Sequence, residues 1–324
     1  MTVNTLPAPR AASLRQTLSH DRFRMLVVIA LLIAIFSTAT HGFLSVRTFQ
    51  AIAGQMPALT VAAVGMTFVL LLGQIDLSVG SLLGLGGALV GVAITQWHWP
   101  VALAAVFAIA VTGLCGLLSG WLMVQWRLPS FIVTLGMLEA ARGATYLVTH
   151  SQTQYIGGTL EAFAEAHIAG VPLVFVLALA LVAAASLVMR RTVFGRYLTA
   201  TGTNEEAVRL AGINTRQLKC LTFMGAGALA GLAAVLHTSR LGAADPNAGT
   251  GFELQTIAAV VIGGTSLMGG RASVTGTLFG VLIISLLDTG LAQVGAQEPA
   301  KRLVTGIVIV AAVIFDNYRH RRSS

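Results

Sequence analysis

Apolar residues in this chain run in long, nearly unbroken blocks separated by short polar stretches. A helix that crosses a bilayer needs about 20 mostly apolar residues. About ten blocks meet that length, at roughly 25–44, 55–73, 76–95, 100–124, 130–149, 171–190, 218–238, 254–270, 273–294 and 303–318. The pattern predicts an all-α, polytopic membrane protein of about ten transmembrane helices. Only two connections are long, an outer one at 150–170 and an inner one at 191–217. The chain therefore divides into an N-terminal segment (1–24), a membrane domain (25–318) and a basic tail (319–324).

Arg10, Arg15, Arg22 and Arg24 precede the first block, as in a signal peptide. The apolar run continues to Leu44 with no clean cleavage site, so an uncleaved first helix is expected. Basic residues set the orientation. With the N-terminus inside, Arg127, Arg190, Arg191, Arg196, Arg209, Arg216, Lys219, Arg271, Arg319, Arg321 and Arg322 join the first four arginines on the cytoplasmic side. Arg47, Arg240, Lys301 and Arg302 stay outside, with acidic Glu161, Glu165, Asp245, Glu253 and Glu298, and Arg142 falls within a span. Both termini are thus expected in the cytoplasm. Trp97 and Trp99 mark the outer turn of one hairpin and Trp121 and Trp126 its inner end, as headgroup-level anchors do.

Composition sharpens the class. Hydrophobic residues make up 56% of the chain and charged residues 10%, with a mean hydropathy of +0.82. Soluble domains carry roughly 25% charged residues, and disordered chains are far less apolar. The net charge of +8 suggests nucleic acid, but the basic residues lie between apolar spans and form no stripe. Cys115 and Cys220 sit in different spans and make neither a disulfide framework nor a metal-ligand spacing.

Four stretches break the apolar pattern. In Gly73-Gln74-Ile75-Asp76-Leu77-Ser78-Val79-Gly80, Asp76 and Ser78 are placed to cap the following helix; the segment also reads as a broken helix facing a polar pathway. Pro129 to Gly136 includes Thr134 and is followed by Glu139, Arg142 and Gly143. Charge at membrane depth costs roughly 2.5–3.5 kcal/mol, so Glu139 and Arg142, three apart, are expected to pair on one face or to line a polar path. The inner connection holds a short helix, with Thr203 and Glu206 at capping-box spacing, a Glu205–Arg209 pair and Gly212 at the C-terminal turn. Val208, Ala211 and Ile213 give it an apolar side, and a rigid helix there reads as a docking element rather than a solvated linker. Gly249 to Gly270 is glycine-rich and contains Thr265 and Ser266. Its segment 263–270 echoes 75–84, as in an inverted repeat.

No G-x-x-x-x-G-K-[ST] occurs, so the chain is not expected to hydrolyse ATP. Asp288-Thr289-Gly290 copies a protease triplet inside a helix without a second copy, and the seven His form no H-E-x-x-H. No cofactor and no metal are expected. Asp288 reads instead as facing a polar interior.

The motifs around Gln74, Asp76 and Ser78, around Thr134 and Arg142, around Asn204 and Gly212, and from Ile257 to Gly270 resemble, in order, the inner-membrane permease of bacterial ABC sugar importers of the ribose, xylose and arabinose class. The resemblance implies a bacterial inner-membrane subunit. It implies a dimer with a second copy or paralogue, a cytoplasmic ATP-binding subunit and a periplasmic solute-binding protein. It also implies that Asn204 to Ile213 docks on the ATPase and that the segments around Asp76 and Gly263–Gly270 lie near the translocation pathway. Three departures leave the solute open: Glu253-Leu254-Gln255 where Glu-Leu-Asp is common, Asp288 where Asn is common, and Glu298 to Arg302. The competing reading is an ion-coupled carrier using Asp76, Glu139 and Asp288.

Overall fold

The computed structural model describes residues 11–40, 42–168 and 170–323. Arg10 lies outside the described residues, as do the side chains of Arg15, Arg22, Glu161, Arg319, Arg321 and Arg322. The helices are α1 (Ala11–Ala39), α2 (Val46–Leu71), α3 (Val79–Thr95), α4 (Val101–Trp126), α5 (Ser130–Thr149), α6 (Gly158–Glu165), α7 (Leu173–Arg191), α8 (Val193–Thr203), α9 (Glu205–Leu210), α10 (Thr215–Leu241), α11 (Phe252–Ile262), α12 (Val274–Gln293) and α13 (Glu298–Ser323). Four two-residue strands complete the described elements: β1 (Gln154–Tyr155), β2 (His167–Ile168), β3 (Val171–Pro172) and β4 (Ala243–Ala244). β1 pairs antiparallel with β4, Gln154 opposite Ala244, and β2 pairs with β3.

Among the described residues, α2, α4, α5, α7, α10 and α12 are long and apolar enough to cross a membrane. Phe23–Ala39 within α1, and α3 and α11, are apolar but shorter. The fold is all-α and polytopic, as the apolar blocks indicate.

The helices divide into an inner set and an outer set. α2 is buried over 83% of its most apolar stretch, α5 over 17%. α10 packs on α2, α3 and α4, α12 packs on α1, α2 and α11, and α3 packs on α4 and α5. Glycine and alanine permit this closeness where no hydrophobic force drives helices together within lipid. Gly116 and Gly227 face each other where α4 crosses α10. Large apolar side chains are exposed on the outer helices: Leu103, Val106 and Leu114 on α4, Phe131, Ile132 and Leu147 on α5. Trp97 and Trp99 cluster with Phe107 at one end of α4, and Trp121 stacks edge-on with Trp126 at the other.

The molecule has two ends, which the α8–α9 connection distinguishes. Leu71, Gly73, Gly202, Thr203, Met268 and Gly270 meet at that loop end. Gly91, Gln154 and Ala244 meet at the far end.

Two blocks differ from expectation. The stretch 254–270 is not one spanning helix. α11 has 11 residues, about 16 Å of helix, and Gly263 to Ser273 follow as a turn. Gly264, Gly269 and Gly270 take positive φ there, a geometry that ends helices whatever the hydropathy of their neighbours. The stretch 76–95 begins its helix only at Val79. The long inner connection is itself helical, with α8 preceding α9.

Candidate functional site

The chain from Leu72 to Ser78 leaves the helical state, turning at Leu72–Gly73 and running irregularly to Ser78, so its backbone polar groups need partners inside the protein. The start of α5 supplies them. Ser130 Oγ accepts the Ile75 N–H at 3.0 Å, and Thr134 Oγ1 accepts the Leu77 N–H at 3.2 Å. Ser130 and Thr134 are one turn apart on the same helix face, which suits a non-helical partner. Ser130 lies within the Pro129–Gly136 motif but was not among its candidate site residues; its spacing to Thr134 was the available signal.

Asp76 sits between these contacts and is 1% exposed. Its Oδ1 accepts the Ser78 N–H at 2.9 Å and the Ser78 hydroxyl at 2.6 Å. Asp76 thus shapes the turn into α3. Ser78 spends its hydroxyl on Asp76 and does not cap the helix, contrary to the paired-cap expectation.

A second segment enters from the far end. Ala244 lies against Gly91, the Ala248 carbonyl against Gly84, and the Gly249 carbonyl against Gly80, so residues 244–249 descend along α3. Gly91 to Gly80 is 11 residues of helix, about 16 Å of depth. α11 starts there, so two interrupted helices begin beside each other with their positive ends adjacent. Glu253, in the first turn of α11, lays its carboxylate over Gly80, where any Cβ would collide with it. This places Glu253 against α3 and not in the outer connection expected from a full spanning helix over 254–270. Among the described residues, Asp76 Oδ2 and Glu253 Oε2 are buried without a hydrogen-bond partner.

Arg142 joins the two segments. Its Nε and Nη2 donate to Ser81 Oγ at 3.2 and 3.1 Å, and its Nη1 donates to Thr250 Oγ1. The expected Glu139–Arg142 pair does not form. Glu139 lies on the exposed face of α5, while Arg142 turns toward α3. One turn on, Tyr146 donates its hydroxyl to Asn247 Oδ1 at 2.9 Å.

Thr265 and Ser266 are 0% and 2% exposed and serve the turn between α11 and α12. Ser266 Oγ accepts the Met268 N–H, and Thr265 Oγ1 accepts the Ser273 N–H. This turn packs on the other break, where the Gly270 N–H donates to the Leu71 carbonyl at 2.9 Å. Gly202, near the end of α8, presses on both, and a Cβ there would run into the Leu71 carbonyl.

α9 follows directly. Its N-cap is Asn204, whose Oδ1 accepts the Ala207 N–H at 3.0 Å, and not Thr203, which closes α8 by donating to the Thr199 carbonyl. Glu205 pairs with Lys219 on α10 at 2.6 Å, and Glu206 pairs with Arg209. These replace the expected Glu205–Arg209 pair, because α9 is only six residues long and lies against α10. Glu206 holds the Arg209 guanidinium further above its ordinary pKa. Gly212 has φ +83°, which ends the helix as expected, and Val208 is buried with Ile213 half-buried beside it. Between α9, the start of α10 and the end of α4 lies a groove of about 650 Å³ lined by Gln74, Arg127, Glu205, Glu206, Arg209 and Lys219, among others.

Asp288 stands apart. Gln55 donates to its Oδ2, and Lys301 lies 4.0 Å from its Oδ1, so it joins α2, α12 and α13 rather than the α3–α11 junction. The structure therefore gathers Asp76, Ser78, Thr134 and Arg142 at one junction, places Gln74 in the groove, and leaves Glu139 and Asp288 outside both.

Interrupted helices whose positive ends meet at membrane depth recur in transport proteins. The chain belongs to the family described as branched-chain amino acid transport system permease components, whose model matches residues 48–313. It is 39% identical over 300 residues to the ribose import permease protein RbsC of Escherichia coli K12, covering 91% of this chain and 93% of that one. It is 32% identical over 362 residues to the xylose transport system permease protein XylH of Haemophilus influenzae, covering 92% and 96%. It is 32% identical over 314 residues to the L-arabinose ABC transporter permease protein AraH of Azospirillum brasilense, covering 93% and 89%. No solved structure matches the chain. The protein is thus a multi-pass inner-membrane transport permease and not an enzyme, with ATP hydrolysis belonging to a separate subunit. This class is favoured over the ion-coupled carrier.

Proposed function

We propose that this chain is the channel-forming subunit of an ATP-driven importer that carries a sugar or sugar-like solute inward by alternating access. It crosses the membrane ten times, with both termini and the α8–α9 arm in the cytoplasm. α11 together with its descending segment forms one crossing. It works as a dimer with a second copy or paralogue, embedded in lipid, and receives solute from a periplasmic binding protein. The family description names branched-chain amino acids, but the relatives at 32–39% identity are named for ribose, xylose and arabinose. The junction also presents hydroxyl, amide, phenol and guanidinium groups that suit the hydroxyls of a polyol, beside the buried carboxylates of Asp76 and Glu253.

The observation that carries this reading is the contact of the α8–α9 arm with both helix breaks. Gly202 touches Leu71, just before the turn into α3, and Gly270, just after α11. A cytoplasmic ATPase gripping α9 would move both breaks together. The groove beside α9 carries both signs of charge, as a docking surface for a protein partner requires.

The test is reconstitution with an ATP-binding subunit and a binding protein. Uptake is expected only with all three and ATP. Transport by this chain alone would overturn the reading. A tag within Asn204–Gly212 is expected to react only from the cytoplasmic side.

A further inference from the structure

The hydrogen bonds between α5 and the descending segment are of a different kind from every other contact that segment makes. On its α3 side the segment is wedged by backbone, Ala248 against Gly84 and Gly249 against Gly80, with no room for a methyl group. On its α5 side it is held by side-chain tips, Tyr146 to Asn247 and Arg142 to Thr250, and both contacts are exposed. The segment is preorganised to present those tips. Asp245 Oδ1 accepts the Asn247 N–H at 2.9 Å and its Nδ2 at 3.2 Å, and the Thr250 hydroxyl donates to the Asn247 carbonyl at 2.9 Å.

These groups lie at membrane depth. Arg142 and Tyr146 stand about 18 and 24 Å along α5 from Ser130, within a hydrocarbon core of about 30 Å. Exposed polar tips at that depth are costly against hydrocarbon, so a water-filled passage suits them. They lie toward the far end, opposite the α8–α9 arm.

We propose that Arg142, Tyr146, Asn247 and Thr250 form a solute gate in the far half of the passage. A polyhydroxylated solute takes over their hydrogen bonds as α5 and the descending segment part. A phenol, an amide, a hydroxyl and a guanidinium offer solute hydroxyls the same donors and acceptors they offer each other. Solute therefore exchanges with the latch at little net cost, whereas an apolar molecule leaves the groups unpaired. The parting occurs on the α5 side because the α3 side is locked by backbone contact. The proposal rests on the importer reading above.

The experiment uses the reconstituted three-component importer carrying Cys115→Ala and Cys220→Ala. Tyr146→Cys and Asn247→Cys are joined by a short bifunctional methanethiosulfonate. Cross-linking is expected to cut uptake at least tenfold, and reduction to restore it to the level of the same variant before treatment. Unchanged uptake after complete cross-linking overturns the gate. In parallel, the Asn247→Ala, Thr250→Ala double variant is expected to let solute run down its gradient without ATP several-fold faster than the parent; an unchanged leak also overturns it. Absence of ATP-driven uptake in the parent complex overturns the importer reading itself, which separates the two failures.

Discussion

The loop end of this molecule and the α5 side of its far half join distant segments by opposite means. At the loop end, Leu71, Gly202 and Gly270 touch through backbone, with a main-chain hydrogen bond and no side chain between them. In the far half, Arg142 and Tyr146 reach across on long side chains to Thr250 and Asn247. Backbone contact of that closeness transmits force and cannot be repacked by changing a rotamer. Side-chain tips in contact with water separate and re-form. The contacts are therefore stiff at the loop end and separable on the α5 side of the far half.

The strongest way to break the comparison is to add volume at the stiff end. Gly202→Val is expected to destabilise the fold by more than the roughly 1–3 kcal/mol typical of overpacking, because the obstacle is backbone. The monodisperse fraction after detergent extraction should fall several-fold. Gly225→Ala, where open space surrounds the Cα, should leave it unchanged. A tolerated Gly202→Val would remove the distinction between the two ends.

At the separable end, Arg142→Ala is expected to lower ATP-driven uptake by more than tenfold and up to about a hundredfold, the loss of charge-assisted bonds worth roughly 1.5–3 kcal/mol. Lysine should rescue little, since one ammonium cannot span Ser81 and Thr250 as the guanidinium fork does. The extracted yield should hardly move, in contrast to Gly202→Val. Equal losses of yield in both variants would show that Arg142 is part of the stiff frame.

The arm gives a smaller effect. Asn204→Ala removes the N-cap of α9, worth about 1 kcal/mol, from a helix of six residues. Uptake is expected to fall roughly threefold to fivefold, the scale of that energy. ATP hydrolysis by the complex should continue, and Asn204→Asp should retain coupling. Smallest is Glu205→Gln, which breaks a partly exposed pair with Lys219 worth about 0.2–1 kcal/mol. Its difference from the parent should vanish in high salt, read as melting temperature against ionic strength.

Hydropathy and local chemistry made much of this legible. The apolar blocks located the main helices, the glycines at 73 and 80 bracketed the first break, and Gly212 marked the end of α9. These features depend on residues adjacent in the chain. Thr134 and Arg142 were recognised as polar residues out of place, but their partners were not. Arg142 was matched to Glu139, three residues away, when its partner Thr250 is 108 residues distant. Glu253 was assigned to an outer connection because glycine-rich apolar sequence after it reads as a full helix. Tyr146 and Asn247 carried no local signal, since a tyrosine near a helix end and an asparagine in a glycine-rich loop are common.

Sequence alone therefore decided that this chain lives in a membrane, where its first helix break falls and where its short inner helix ends. All of these follow from solvent transfer and backbone preference, which act within one or two helical turns. Only the tertiary structure decided that the two breaks lie beside each other, that the α8–α9 arm touches both, and that α5 latches the descending segment. Those outcomes depend on how closely distant segments approach. Glycine, having no side chain, permits that approach without specifying the partner that will make it.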